Sequence, residues 1–169
     1  GRLLIVDYRN PHNKSWGYSW SELTPGASGV LFINPFVLNQ ADEKMIFYAG
    51  GSTIWRNNNI DMTDASNYTY SNGSYLSTQW VQMTNAASNG TISALATTAT
   101  SPTNRLYYGD SKGKVYKLDN ANSGNNSPTD ITTALFPSNA YVSNIAVNPE
   151  NGDEVMVTFS NYSVKSIWH

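Results

Sequence analysis

An aspartate at a predicted hairpin turn is the residue in this sequence that is best placed for chemistry. Asp110 follows the apolar run 106–109 and precedes Gly113 by three residues. A carboxylate here could act as a general acid or base in glycoside cleavage, which needs a second carboxylate roughly 5 to 10 Å away. The sequence favours a simpler interpretation, because aspartate shortly before glycine is common in turns. Asp110 is therefore the only catalytic candidate, and we lean towards a protein that is not an enzyme.

Other reactive groups are few and poorly spaced. His12 has no serine at nucleophile spacing, and the absence of cysteine excludes a thiolate metal site. No calcium loop and no phosphate-cradling glycine loop occur. We expect no metal and no cofactor. Two further sets of residues form no site by their spacing: the aspartates Asp61, Asp64, Asp119 and Asp130, and the arginines Arg2, Arg9, Arg56 and Arg105.

Aromatic side chains offer the best candidates for ligand contacts. Exposed rings stack on the apolar faces of sugars, so Trp16, Tyr18, Tyr68 and Tyr70 are the predicted ligand-binding residues. The alternative is that aromatic rings fill the space between packed sheets. We favour that alternative for the tryptophans that recur at equivalent positions of the repeats described below, which are Trp20, Trp55, Trp80 and Trp168.

The composition excludes several classes of protein. Charged residues make up only 13% of the 169 residues and the net charge is -2, so the basic face of a nucleic-acid-binding protein is not expected. No apolar run approaches the roughly 18 residues of a membrane-spanning helix. Abundant Tyr, Thr, Val and Ile favour strands, whereas Asn and Gly favour turns. The sequence therefore predicts an all-β protein.

Three segments repeat one pattern of strands and turns. Each has a short leading strand, a buried strand, a turn rich in Asn, Pro or Asp, a second strand, and a last strand containing an aromatic residue. A spacing of about 50 to 60 residues suits the four-stranded blades of a β-propeller. A β-sandwich is the competing architecture, since evenly spaced strands fit it too. The parallel order of features in the three segments favours the propeller.

The repeats divide the chain into five parts. Residues 1–17 are predicted to be the end of a preceding blade and its connection, and residues 61–79 a polar insertion loop or loose hairpin. Blades are predicted at 18–60, 80–122 and 123–169. Three to three and a half blades cannot close a ring of at least four. We therefore expect a piece of a longer chain whose last blade is truncated, with a complete small β domain as the alternative.

The repeats resemble a known family. The stretches 29–38, 45–51 and 54–56, and later 142–149 and 155–160, are similar to the blades of sortilin-like and Asp-box (bacterial neuraminidase repeat) propellers. The boxes at 56–59 and 117–120 are degenerate. Asp110 is similar in place to an acid of xyloglucanase-type propellers. The Asn-rich loops and low charge are similar to those of large secreted Bacteroidota proteins of the type IX system, which implies a secreted or cell-surface location.

These observations lead to one functional prediction and two alternatives. We expect a non-catalytic propeller segment that acts as a binding scaffold for a glycan or a surface protein. The first alternative is part of a glycan-hydrolysing enzyme whose remaining active site lies outside this chain. The second is a secretion-system cargo captured with its transport machinery. The expected partners are further blades of the same polypeptide, with no nucleic acid and no membrane-spanning segment.

Overall fold

The protein is all-β, as the sequence predicts. A computed structural model describes residues 4–7, 19–22, 25–61, 65–71 and 74–169. Within these ranges the only helical element is the 3-10 helix η1 (Ala65–Asn67). The strands are β1 (Leu4–Asp7), β2 (Ser19–Glu22), β3 (Phe36–Asn39), β4 (Asp42–Gly50), β5 (Thr53–Asn57), β6 (Tyr68–Ser71), β7 (Ser74–Ser77), β8 (Trp80–Ala87), β9 (Ile92–Thr97), β10 (Leu106–Asp110), β11 (Val115–Leu118), β12 (Thr129–Asp130), β13 (Val142–Asn148), β14 (Asn151–Phe159) and β15 (Ile167–Trp168).

The described strands form four sheets. Three of them are antiparallel: the first meander (β3, β4, β5, β8), the second meander (β9 to β12) and the third meander (β13 to β15). The N-terminal sheet has the order β1-β2-β7-β6, with β2 and β7 parallel. Short turns join β3 to β4, β4 to β5, β10 to β11 and β13 to β14, and each of these pairs is adjacent in its sheet.

The sheet boundaries differ from the repeat boundaries by one strand. The segment beginning at Trp80 was expected to lead the unit 80–122, but β8 pairs with β5 and completes the first meander. Likewise, the leading strand expected at Asp130 is β12, which pairs with β11 of the second meander. Both strands pair antiparallel with the preceding sheet and form its edge.

Residues 61–79, predicted to be a polar insertion loop or loose hairpin, contain two short strands. β6 and β7 pair antiparallel, and the Thr78 amide donates to the Asn67 carbonyl at 2.8 Å. Hydrogen bonds join this segment to the first meander. Asn57 Nδ2 donates to Ser77 Oγ at 2.6 Å, and the Asn58 amide donates to the Gln79 carbonyl at 3.1 Å.

The three meanders stack face to face in chain order. Their first strands are neighbours, since β9 contacts β3 on one side and β13 on the other. A first core lies between the first and second meanders, and a second core lies between the second and third. Burial of this apolar area is the main stabilising term of the assembly. The first core includes Phe47, Ile54, Met83, Leu106 and Tyr108, and the second includes Tyr107, Val115, Val142, Val157 and Phe159.

Burial on both faces explains the sequence of β10. Leu106 and Tyr108 point into the first core and Tyr107 points into the second, so the strand is a continuous apolar run without polar alternation. Gly109 follows where the sheets are closest. A Cβ there would stand 2.4 Å from Val142 Cγ1, so only glycine fits without a shift.

Candidate functional site

Asp110 lies at the end of β10, where the chain turns towards β11. The turn 110–114 is closed by two backbone hydrogen bonds, from the Asp110 amide to the Lys114 carbonyl at 3.0 Å and from the Gly113 amide to the Asp110 carbonyl at 3.3 Å. Gly113 has a φ of +83°, which side-chain-bearing residues rarely adopt. Aspartate and glycine therefore fix the shape of this turn together.

The carboxylate of Asp110 is fully buried and bound on both oxygens. Oδ1 accepts the backbone amides of Lys112 at 2.8 Å and Lys114 at 2.9 Å. Oδ2 accepts the hydroxyl of Ser88, which lies just after β8 of the first meander. Asp110 thus organises its own turn and ties it to the neighbouring meander. These contacts fit a turn residue, and a catalytic role for Asp110 stays a prediction.

A second buried charge, Arg105, joins the second meander to the third. Nε donates to Asp119 at 2.5 Å, and Nη1 donates to Asp153 and, at 3.1 Å, to the Tyr107 hydroxyl. Nη1 also reaches the Gly152 carbonyl at 3.3 Å. Burial opposes the guanidinium charge, but the hydrogen bonds to Asp153 and Asp119 outweigh it and raise the pKa of Arg105. The group therefore stays charged and is fully committed to holding two sheets together.

From the sequence, Arg105 is one of four arginines that form no site by their spacing, and its cluster with Asp119 and Asp153 is not predicted. The sequence does indicate one of its two ion pairs, the pair between Arg105 and Asp119. Leu106 pairs with Leu118 in the β10–β11 hairpin, so the residues just outside that pair, Arg105 and Asp119, must be adjacent. Asp153 comes from the third meander, and no local pattern predicts that contact.

Arg56 is a buried cation held by neutral acceptors. Its side chain donates to Asn58 Oδ1 at 2.7 Å and to the carbonyls of Ala121 at 2.9 Å and Gly124 at 3.1 Å. Burial lowers the pKa of Arg56. The residue therefore anchors the loop after β11 to the first meander, through donors that only a guanidinium can direct to several acceptors at once.

The predicted ligand-binding aromatics fall in different places. Trp16 and Tyr18 lie outside the described residues, as does the side chain of Tyr70, whose backbone belongs to β6. Tyr68 is buried and its hydroxyl donates to the Ile60 carbonyl at 2.9 Å. Burial and the nearby charge of Asp61 raise the pKa of Tyr68 to about 12. These contacts are those of a packing residue, and the ligand role of the four aromatics stays a prediction.

A surface cavity of about 270 Å³ opens beside the Asp110 turn. We call it the turn pocket: it lies between residues 112–114 and residues 132–139, and Phe136 lines it. Lys114 lines it too and is paired with Asp130 at 3.1 Å, whereas Lys112 makes no ion pair within the part of the chain that the structure describes. The pocket therefore combines one aromatic ring with one uncompensated ammonium group.

No protein-family model matches the chain, and no curated protein matches it in sequence. Across the described ranges, no three His, Asp or Glu side chains are grouped so that they could hold a metal ion. No described helix has the length and apolar character needed to cross a membrane.

Proposed function

We propose that this chain is a group of β-propeller blades that serves as a non-catalytic binding scaffold in a secreted or cell-surface protein. Three consecutive meanders stacked with their first strands side by side support this architecture. In a propeller the first strands of successive blades surround a common axis, and the loops at the sheet ends are left for binding.

The environment of Asp110 is the main observation that supports a non-catalytic role. A general acid or base must reach the proton that it transfers. The Asp110 carboxylate is instead fully buried and bound to two backbone amides and to Ser88. Arg105 is committed in the same way to Asp119 and Asp153. The charged groups inside the assembly thus hold turns and sheets in place.

The outer face of the third meander supports the presence of a further blade. Ala146 and Met156 are cross-strand partners that point away from the second core, and both are exposed. Ala146 is the fifth residue of β13, and Ala96 is the fifth residue of β9. Ala96 is buried against the third meander. An equivalent sheet would bury Ala146 in the same way.

The blade proposal is tested by the oxidation of methionine in the natural full-length polypeptide. Met156 is 44% exposed in this chain and Met83 is fully buried. If a further blade covers the third meander, hydrogen peroxide should oxidise Met156 in the full-length protein about as slowly as Met83, and quickly in the isolated 169-residue chain. Rapid oxidation of Met156 in both would contradict the proposal.

The non-catalytic role is tested by comparing binding with cleavage. The natural full-length polypeptide and its Asp110→Asn variant are each incubated with a panel of end-labelled neutral and acidic oligosaccharides. We expect the wild type to retain a subset of glycans with no change in their length, and we expect no shortened products with the variant either. Shortened products that disappear in Asp110→Asn would instead identify a glycan-hydrolysing enzyme.

A further inference from the structure

We propose that the turn pocket binds a carboxylated saccharide, an inference that rests on the proposed binding role and specifies its ligand class. Three features carry it: walls held by backbone contacts, an aromatic ring, and one ammonium group in a lining that also has polar side chains. The described residues that form these features belong to the turn between β10 and β11 and to the segment that connects β12 to β13.

The walls of the pocket are held by backbone contacts. A Cβ added to Gly113 would lie 3.1 Å from the Ala140 carbonyl oxygen and 3.2 Å from that of Pro137, so the turn packs directly on the opposite wall. That wall is braced by hydrogen bonds from the Ala140 amide to the Pro137 carbonyl at 3.3 Å and from the Phe136 amide to the Thr133 carbonyl at 3.2 Å. A site formed before the ligand arrives loses less entropy on binding.

The aromatic floor is Phe136, a half-buried ring fixed from behind. Its centroid lies 5.3 Å from that of Phe159 and 5.6 Å from that of Trp168, both in edge-to-face geometry. A fixed ring offers a flat apolar surface of the kind on which the C–H face of a pyranose packs. The cavity of about 270 Å³ is near the lower end of ligand pockets, roughly 300 to 1,000 Å³, which suits one or two sugar rings.

The ammonium of Lys112 favours an acidic ligand. The ammonium of Lys114 pairs with Asp130 at 3.1 Å, which leaves Lys112 as the cation of the described lining that makes no ion pair. The buried carboxylate of Asp110 lies in the same turn, bound to the backbone amides of Lys112 and Lys114. The exposed ammonium of Lys112 can contact a ligand carboxylate directly. One ammonium matches the single charge of a carboxylate.

The remaining polar groups match sugar hydroxyls. Thr133 Oγ1 accepts the Leu135 amide at 2.9 Å, and its hydroxyl proton has no acceptor within the described ranges. Ser138 and Asn139 are exposed, and their side chains are joined only by a long contact of 3.4 Å. These three side chains can donate to and accept from ring hydroxyls in place of water.

The test is a nuclear magnetic resonance titration with two matched probes, methyl glucuronide and methyl glucoside, which differ only in the carboxylate. We expect the glucuronide to shift backbone amides at 112–114 and 132–139 and to bind at least about tenfold more tightly than the glucoside, because a charge-assisted contact is lost in the latter. Lys112 is exposed, so its variants should fold, and the dispersion of the spectrum checks this.

Three variants separate the site from general charge effects. Lys112→Gln should weaken glucuronide binding by about tenfold and Lys112→Arg should restore most of it. Lys44→Gln, which removes the same charge from an exposed side chain of β4, should change nothing. Equal affinity for both probes, an unchanged Lys112→Gln, or no shifts at the pocket would overturn the proposal. If the oligosaccharide panel still shows a retained glycan, the proposed binding role would hold and the ligand would bind at another surface.

Discussion

Gly109 of β10 and Val142 of β13 are in such close contact that no side chain fits between them. A Cβ on Gly109 would stand 2.4 Å from Val142 Cγ1 and 2.7 Å from its Cβ. The contact joins the second meander to the third beside Ser93, whose hydroxyl donates to the Val142 carbonyl at 2.6 Å. The two sheets can therefore approach this closely only because residue 109 has no side chain.

Substitution of Gly109 tests this spacing. Gly109→Ala should lower the free energy of unfolding by about 1–3 kcal/mol, because the added methyl must push β13 away from β10. Gly26→Ala is the control, since a Cβ there meets nothing within 4 Å. Urea denaturation measures both variants. Equal stability of Gly109→Ala and the wild type would mean that the sheets separate freely.

Much of this fold can be predicted from the sequence, but the joints between sheets cannot. The continuous apolar run 106–108 indicates a strand buried on both faces, and the structure has it between two cores. The sequence pattern predicts that β8 and β12 each begin a new sheet, whereas each completes the preceding one. A local pattern does not indicate which of two neighbouring sheets a strand joins. The need for glycine at 109 depends on Val142, more than 30 residues away, so sequence gives no sign of it.

The same distinction applies to the candidate site. The turn role of Asp110 can be predicted because Asp and Gly113 are close in sequence. Its contact with Ser88, by contrast, needs the first and second meanders to be stacked. The turn pocket likewise forms only when the turn meets residues 132–139, so no motif marks it.

The turn role of Asp110 predicts a graded loss of stability. Asp110→Ala leaves the amides of Lys112 and Lys114 without their acceptor, which should cost about 1–3 kcal/mol of unfolding free energy. Asp110→Asn keeps an amide oxygen for them and should cost less. Glu43→Ala, at an exposed residue of β4, is the control. Urea midpoints that rank Asn below Ala would contradict this account.

The ion pair between Arg105 and Asp153 predicts a dependence on acid pH. The hydrogen bond from Arg105 lowers the pKa of Asp153 below its ordinary value of about 3.8. The stabilisation is therefore complete above the unfolded pKa and is lost as the pH falls through the lower folded pKa. Urea midpoints between pH 5 and pH 2 should fall less steeply in Asp153→Asn than in the wild type.

A matched variant separates this effect from general acid denaturation. Glu150 is exposed and makes no ion pair in the described part of the chain. Glu150→Gln should therefore keep the wild-type slope between pH 5 and pH 2. If Asp153→Asn and Glu150→Gln flatten the slope equally, the Arg105 contact is not the cause.

Arg56 predicts a local change in dynamics instead of a global one. Its guanidinium holds the carbonyls of Ala121 and Gly124, so it restrains the loop after β11 from the first meander. Arg56→Lys keeps the charge but presents one compact ammonium, which cannot be directed to Asn58 and both carbonyls in the same geometry. Local opening of the loop should become easier while the two cores remain packed.

Hydrogen exchange measured by mass spectrometry distinguishes local opening of the loop from opening of the cores. In Arg56→Lys, amides of residues 119–126 should exchange faster, whereas those of β10 should keep the wild-type rate. Asn126 provides a comparison, because its side chain donates to the carbonyls of Asn120 at 3.0 Å and Ser123 at 3.2 Å within the loop itself. Asn126→Ala should therefore speed exchange in the same segment. Faster exchange across β10 in Arg56→Lys would show that the buried cation supports the first core as a whole, because β10 unfolds only when that core opens.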